Sequence, residues 1–532
     1  MRRIDYLLAA ATLLVGGCAT ARQGAVTTAP ARPVAASAEP VTRVGAAEAQ
    51  VLAAMARVEQ INPQVRAVIA LDPTAVDQAR EVDEGRVTGP LAGRAVLIKD
   101  NIETAGPLPT TAGSLALANN VTGRDAPLVA RLRAAGAVIL GKTNLSEWAN
   151  IRDNDSISGW SAVGGQNRNP YALDRNTCGS SSGSAAAVAA GFARMAIGTE
   201  TDGSIICPAA SNGVVGLKPT VGLVSRTFVI PISESQDTPG PMTASVREAA
   251  ELLNAIAGSD AADPATREAD RRKVDYLAAL QPGALRGKRL GVMRFSSGFG
   301  TDAAFETALA VLREQGAELV EIKEFKPRQG MGAAEFQVLL HEFKAGLNDY
   351  LRTSPAPIPV RSLAEVIAFN QANAALEMPL FGQSIFAAAE KTKGLGDPAY
   401  RKARATSLGI AKESLDGLLR QHRVVALIAP SRPAAWKIDA VHGDVSPGGG
   451  PAGSFAAVAG YPHLTVPMGM IKGLPVGLSF IGPKWSEALL LSLGHAFEQA
   501  RGPFPAPQFL RSVEESPLVA PGLQPQRPPV RR

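Results

Sequence analysis

Short apolar, β-branched runs alternate with longer stretches of helical spacing along most of this 532-residue chain. The short runs predict strands at 95–99, 137–140, 195–198, 214–217, 290–293, 319–322, 424–428, 464–466 and 476–481. Between them, residues 126–135, 184–193 and 245–257 repeat apolar positions at the three-to-four spacing of one helix face. Alternation of this kind predicts an α/β chain whose sheet carries helices on both faces. Residues 325–420 break the pattern, with few strand signals and helical stretches at 333–351 and 363–373, and read as a helical insertion of the kind that shapes a pocket. No second linker or internal repeat interrupts residues 46–505, so one large domain is expected there. The proline- and arginine-rich stretch 506–532 reads as a disordered tail.

The N-terminus follows another rule. A basic start, a short apolar run from Leu7 to Val15 and small residues before Cys18 give residues 1–17 a signal-peptide layout. The apolar run is about half the ~20 residues that a membrane span needs. Val15-Gly16-Gly17-Cys18 is similar to the bacterial lipobox, in which the cysteine is acylated, so Cys18 is the expected lipidation site and residues 18–45, rich in Ala, Pro and Thr, the tether. The expected location is outside the cytoplasm, in the periplasm or cell envelope, with membrane contact only through that anchor. Composition adds an exclusion: a net charge of +6 spread along the chain, with 5% aromatics, does not suit a nucleic-acid surface.

Candidate chemistry lies in two glycine- and hydroxyl-rich segments, Cys178-Gly-Ser-Ser-Ser-Gly-Ser184 and Gly198-Thr-Glu-Thr-Asp-Gly-Ser204. Of the five histidines, the nearest downstream of Ser204 is His341, 137 residues on, so a serine nucleophile here needs another activator. Three patterns compete. Gly136 to Thr143 satisfies the P-loop expression, but the residues between its glycines are Ala-Val-Ile-Leu, a buried strand rather than a phosphate cradle. Gly179 to Gly183 fits a nucleophile elbow centred on Ser181, yet an irregular loop precedes it where a strand is required. The third pattern adds Lys99, at the end of an apolar strand, where burial disfavours the ammonium and yields a neutral base. If the two serine segments meet, Cys178 and Cys207 lie close together; an oxidising compartment permits a disulfide, the alternative being two buried thiols.

Leu97-Ile98-Lys99-Asp100-Asn101, the serine cluster and the segment ending in Ser204-Ile205 together resemble the amidase signature family, hydrolases with a Ser-cisSer-Lys triad. In that family the intermediate serine lies 24 residues before the nucleophile, as Ser180 lies before Ser204. The resemblance extends through Gly141 to Glu147, Asn169 to Arg175, Gly216 to Thr220, Asp237 to Pro241 and Gly473 to Gly477, most of residues 50–500. It implies a central mixed, twisted sheet covered by helices. Lys99, Ser180 and Ser204 are then the catalytic residues, with Ser180 on a cis peptide. The backbone N–H groups of Thr201, Asp202, Gly203 and Ser204 form the oxyanion hole. No cofactor is expected, and no Cys/His cluster with zinc spacing appears.

Two departures fall on the nucleophile loop. Asp202 stands where the family usually has the first glycine of a pair, and Ile206 where it has an arginine; Glu200 also varies. With Cys207-Pro208 and Ser233-Glu-Ser-Gln-Asp237, this variant is most similar to the branch of bacterial peptide amidases, which remove C-terminal amides from peptides. The expected activity is hydrolysis of carboxamide C–N bonds to carboxylate and ammonia, with a small-molecule or peptide amide as partner. Three alternatives remain: the glutaminase component of a tRNA-dependent amidotransferase, an elbow-type serine hydrolase, and a surface lipoprotein that binds amidated peptides without turnover. Pocket walls are expected from residues 325–455, where motifs are sparse.

Overall fold

The computed structural model describes residues 45–445 and 452–525. The signal segment, Cys18 and all of the tether but its last residue lie outside the described residues. Thirteen strands occur in chain order: β1 (Val68–Leu71), β2 (Ala95–Lys99), β3 (Val138–Thr143), β4 (Trp160–Ser161), β5 (Gly165–Gln166), β6 (Met195–Glu200), β7 (Val215–Lys218), β8 (Thr238–Thr243), β9 (Arg289–Met293), β10 (Glu318–Ile322), β11 (Ala426–Pro430), β12 (His463–Ile471) and β13 (Leu474–Ile481). β4 and β5 form a small hairpin, and the other eleven form one mixed sheet in the order β1-β3-β2-β6-β8-β7-β12-β13-β11-β9-β10.

Side-chain parity shows why the sheet is covered on both sides. In β2, Val96 and Ile98 join one core and Leu97 the opposite one; in β6, Met195 and Ile197 separate from Ala196 in the same way. The first face packs under helices Pro127–Ala134, Val246–Ile256, Asp302–Glu314 and Glu487–Arg501. The second carries Ala46–Val65, Ala75–Asp83, Ser182–Ala189 and Ile206–Ser211, with Pro398–His422 and Ala452–Ala459 over the β9–β11 end. Both serine segments run into helices of this second face. The expected α/β/α domain with a mixed central sheet is therefore the observed one.

Every predicted strand of the sheet is present, but β1 and β8 were not legible. β8 reads Thr-Pro-Gly-Pro-Met-Thr, a composition that argues against a strand between two neighbours. Pro239 and Pro241 share one parity, so their missing N–H groups face a single neighbour. The ladder to β6 runs six pairs and that to β7 only two, so β8 sits in the middle of the sheet with one long ladder and one short one.

The expected tail needs correction. Residues 506–525 lie against the body: Phe509 N donates to the Pro170 carbonyl (2.9 Å), Leu173 N to the Leu510 carbonyl (2.8 Å) and Ser512 Oγ to Asp174 (2.9 Å). The irregular segment 169–175 has backbone donors that no helix or strand satisfies, and the proline-rich strand beside it supplies acceptors. Residues 526–532 lie outside the described residues.

The insertion is helical as expected, led by Met331–Thr353 and Leu363–Ala372. It is fastened to the rest through Arg152, fully buried, which pairs with Glu147 and donates to the carbonyls of Glu377 (2.6 Å), Phe381 (3.3 Å) and Gly382 (3.0 Å). Trp148, Ala149 and Asn150 between these partners hold positive φ (50°, 52° and 74°), and Trp148 packs edge-on against Phe386 of the insertion. Removing the guanidinium strands Glu147 and Glu377 in a dry interior. Arg152→Leu is expected to cost about 3–5 kcal/mol, read from the urea unfolding midpoint; a loss below ~1 kcal/mol would show that the clamp is dispensable.

Candidate active site

Lys99 ends β2 with no exposed surface, and its Nζ donates to Ser180 Oγ (2.8 Å), Thr199 Oγ1 (2.8 Å) and the Thr199 carbonyl (3.3 Å). Burial pulls its pKa down to about 7, while the charges of Asp237 and Glu200 act in the opposite direction. Asn101 Nδ2 also donates to Thr199 Oγ1 (3.0 Å), so that hydroxyl is held from two sides.

The hydroxyls of the serine cluster separate by partner. Ser181 Oγ donates to the Thr199 carbonyl (3.0 Å) and accepts from Thr199 N (3.1 Å); Ser182 Oγ donates to the Cys178 carbonyl (2.7 Å); Ser184 Oγ donates to the Ile197 carbonyl (3.0 Å). Only Ser180 of these four turns to Lys99. The Gly179–Ser180 peptide is cis, in agreement with the expectation for Ser180. A Cβ at residue 179 would come within 2.1 Å of Ser146 Oγ, and one at 183 within 2.3 Å of the Ala67 carbonyl oxygen, so the packing requires both glycines. With Ser181 fully buried and bonded to β6 through both its donor and acceptor roles, the elbow pattern has no free hydroxyl at its centre. The P-loop match is likewise a strand, β3, with Lys142 donating to the Ile102 carbonyl (2.6 Å) and Thr110 (2.9 Å) beside Asp100.

Ser204 comes next to this cluster because Ser181 N donates to its carbonyl (3.1 Å) and because Cys178 and Cys207 form a disulfide with Cα atoms 5.9 Å apart. The nucleophile loop has no arginine to hold it. Instead Glu200 Oε2 accepts from the N–H groups of Ile205 (2.7 Å) and Ile206 (3.0 Å), just past the loop. Thr201 Oγ1 donates to Asp237 (2.5 Å), whose other oxygen accepts from Ile232 N (2.8 Å) and Ser233 N (2.9 Å). Gln236 Nε2 donates to the Thr201 carbonyl (3.3 Å) and to Glu335 of the insertion (2.9 Å). Among the described residues the N–H groups of Asp202, Gly203 and Ser204 meet no acceptor, and Gly203 (φ 83°) has nothing within 4 Å of where a Cβ would stand.

The loop opens on a cavity of about 350 Å³ lined by Gly179, Thr201 to Ser204 and the disulfide on one side, with Ala149, Asn150, Ile151, Ile232 and Leu339 opposite. Arg432, Trp436 and Asp444 complete it. Residues 325–455 thus supply only part of the wall; the left-handed turn at 148–150 and Ile232 supply the rest. Among the described residues no histidine lines it. Gln236 and Asp237 stood in a segment shared with the peptide amidase branch, whereas Glu335 and Arg432 left no signal, since their role depends on which loop they face.

A buried lysine with its pKa pulled down to about 7, a serine hydrogen-bonded to it and a second serine beside unclaimed backbone donors form a cluster suited to hydrolysis. The amidase family model matches residues 49–491. The chain is 52% identical to the crystal structure of native peptide amidase from Stenotrophomonas maltophilia, with a TM-score of 0.82 over 87% of this chain and 95% of that one. It is 40% identical to a probable amidase of Arabidopsis thaliana over 85% of this chain and 86% of the relative. It is 37% identical to a glutamyl-tRNA(Gln) amidotransferase component from Roseiflexus castenholzii over 84% of this chain and 91% of the relative. The chain belongs to the amidase signature family, and it is a hydrolase of amide C–N bonds.

If neutral Lys99 is the base, kcat/KM rises with pH through about 7 and then levels. Asp237 raises the lysine's pKa, so Asp237→Asn should move this acid limb to lower pH. An acid limb that stays in place, measured from pH 5 to 9, would remove Lys99 from that role.

Proposed function

We propose that this amidase is exported and hydrolyses carboxamides of the C-terminal peptide amide type through a Ser204 acyl-enzyme. One observation carries the mechanism: a fully buried Lys99, its pKa held near 7, bonded to Ser180 Oγ at 2.8 Å beside the segment that anchors Ser204. In the neutral state the Lys99 lone pair takes the Ser180 proton while Ser180 takes that of Ser204, whose Oγ attacks the amide carbon. The resulting oxyanion rests on the backbone N–H groups of the Thr201–Ser204 loop. The relay then returns its proton to the departing nitrogen, the C–N bond breaks and ammonia leaves. Water, deprotonated by the same relay, attacks the ester carbonyl, and collapse releases the carboxylate and restores the Ser204 hydroxyl.

The peptide-amide substrate is supported by the 52% identity to peptide amidase across nearly the whole of that chain. A second reading, the glutaminase component of an amidotransferase, is favoured by the 37% identity to the Roseiflexus protein. Ammonia release by the purified chain alone separates the two. Ser204→Ala and Lys99→Ala are each expected to lower kcat by about 10,000-fold or more, with Ser180→Ala severely impaired and every single histidine variant retaining most activity. A lethal Ser181→Ala with a mild Lys99→Ala would overturn the relay.

Export is supported by the signal layout before Cys18 and by the Cys178–Cys207 bridge, since disulfides persist in oxidising compartments. Fractionation of the native host should find the wild-type chain with membranes and Cys18→Ser released from them. Recovery of both chains in the cytosol would refute it.

A further inference from the structure

Among the described residues Arg432 is the one cation lining the candidate cavity, and none of them hydrogen-bonds to it or pairs with it. It lies two residues past the end of β11, next to Ser431, which is tied to the sheet: Ser431 N donates to the Gly477 carbonyl (2.8 Å), and Ser431 Oγ bonds to Thr465 (2.6 Å) and Ser479 (2.9 Å). Among the described residues the guanidinium makes no hydrogen bond or ion pair, and its Nε is buried without an acceptor. Arg152 differs, with four oxygen acceptors around it; Arg501 also leaves its Nε and Nη1 without an acceptor, but it lies outside this cavity and over the Phe504 ring. An unpaired buried donor costs about 1–3 kcal/mol, so such a group marks a place where an acceptor arrives from outside.

The chemistry of that acceptor follows from the surroundings. Asp202 and Asp444 act on Arg432 through their charge without pairing with it. Asp444 is itself occupied, accepting from Ser158 N (3.0 Å), Asn176 Nδ2 (3.1 Å) and Trp436 Nε1 (3.2 Å). With two carboxylates already balancing the cation, a substrate carboxylate would meet repulsion, whereas a neutral carbonyl oxygen meets none. In hydrolysis of a primary amide the leaving group is ammonia, which has no carbonyl. The acceptor must therefore lie on the acyl side.

We propose that Arg432 is a specificity-determining residue that receives the carbonyl oxygen of the peptide or N-acyl bond preceding the scissile amide, so that the site selects N-acylated amino-acid and peptide amides over simple alkyl amides. This rests on the peptide-amide reading of the site. The test compares ammonia release from N-acetyl-L-phenylalaninamide and from 3-phenylpropanamide, which carries the same ring and scissile amide but no acyl carbonyl, with succinamate as the anionic control. Wild type is expected to favour the acetylated amide by at least about tenfold in kcat/KM. Arg432→Met should reduce that ratio by about 10- to 100-fold, chiefly through KM, and Arg432→Lys should restore part of it. A ratio unchanged in Arg432→Met, with thermal melts showing both variants folded, overturns the assignment, as does a selective loss of succinamate turnover. If Arg432→Met fails to fold, the ratio in Arg432→Lys decides: no fall from wild type overturns the proposal. A wild-type enzyme that hydrolyses 3-phenylpropanamide but not the acetylated amide overturns the peptide-amide reading as well, so the two failures are told apart.

Discussion

The architecture turns on keeping one amine dry. A lysine sealed at the end of a strand loses the hydration that stabilises its charge, and among the described residues no carboxylate within ion-pair distance replaces it; desolvation brings its pKa down to about 7. Asp237 and Glu200 supply a moderate opposing field, enough to hold the pKa near 7 rather than lower. Both carboxylates have a second duty in the nucleophile loop, where they capture the Thr201 hydroxyl and the Ile205 and Ile206 amides. Electrostatic tuning and loop geometry are therefore set by the same two side chains. A change that freed either carboxylate would disturb the loop and the base together.

That double use accounts for the departures from the usual motif. An arginine after the nucleophile would place a cation near Lys99 and lower its pKa further. With Ile206 in its place, the backbone itself becomes the donor to Glu200, and the loop is held without added positive charge. The Cys178–Cys207 bridge ties the serine cluster to the helix that follows the loop. Two segments joined to the core by short helices are thus fixed to each other directly rather than only through the sheet.

Much of this was legible because it obeys local rules. Apolar runs located nine of the sheet strands, and Lys99, Ser180 and Ser204 stood in ordered motifs at a fixed separation. What escaped notice depends on tertiary context. β8 hides behind two prolines whose missing N–H groups face a single neighbour, and residues 506–525 look unstructured until they exchange backbone hydrogen bonds with segment 169–175. Ser181 and Ser180 are equivalent by composition; the distinction comes from β6, whose Thr199 backbone claims the first and leaves the second to the lysine. Gln236 and Glu335 became relevant only when the helical insertion folded back over the loop.

The same division explains how one family scaffold serves different amides. Lys99 ends a strand, while Ser180 and Ser204 lie on short loops just before helices, where packing requires the glycines at 179 and 183. Part of the cavity wall comes from a left-handed turn at 148–150, from Leu339 of the insertion and from the segment after β11, all of which lie outside the strands of the sheet.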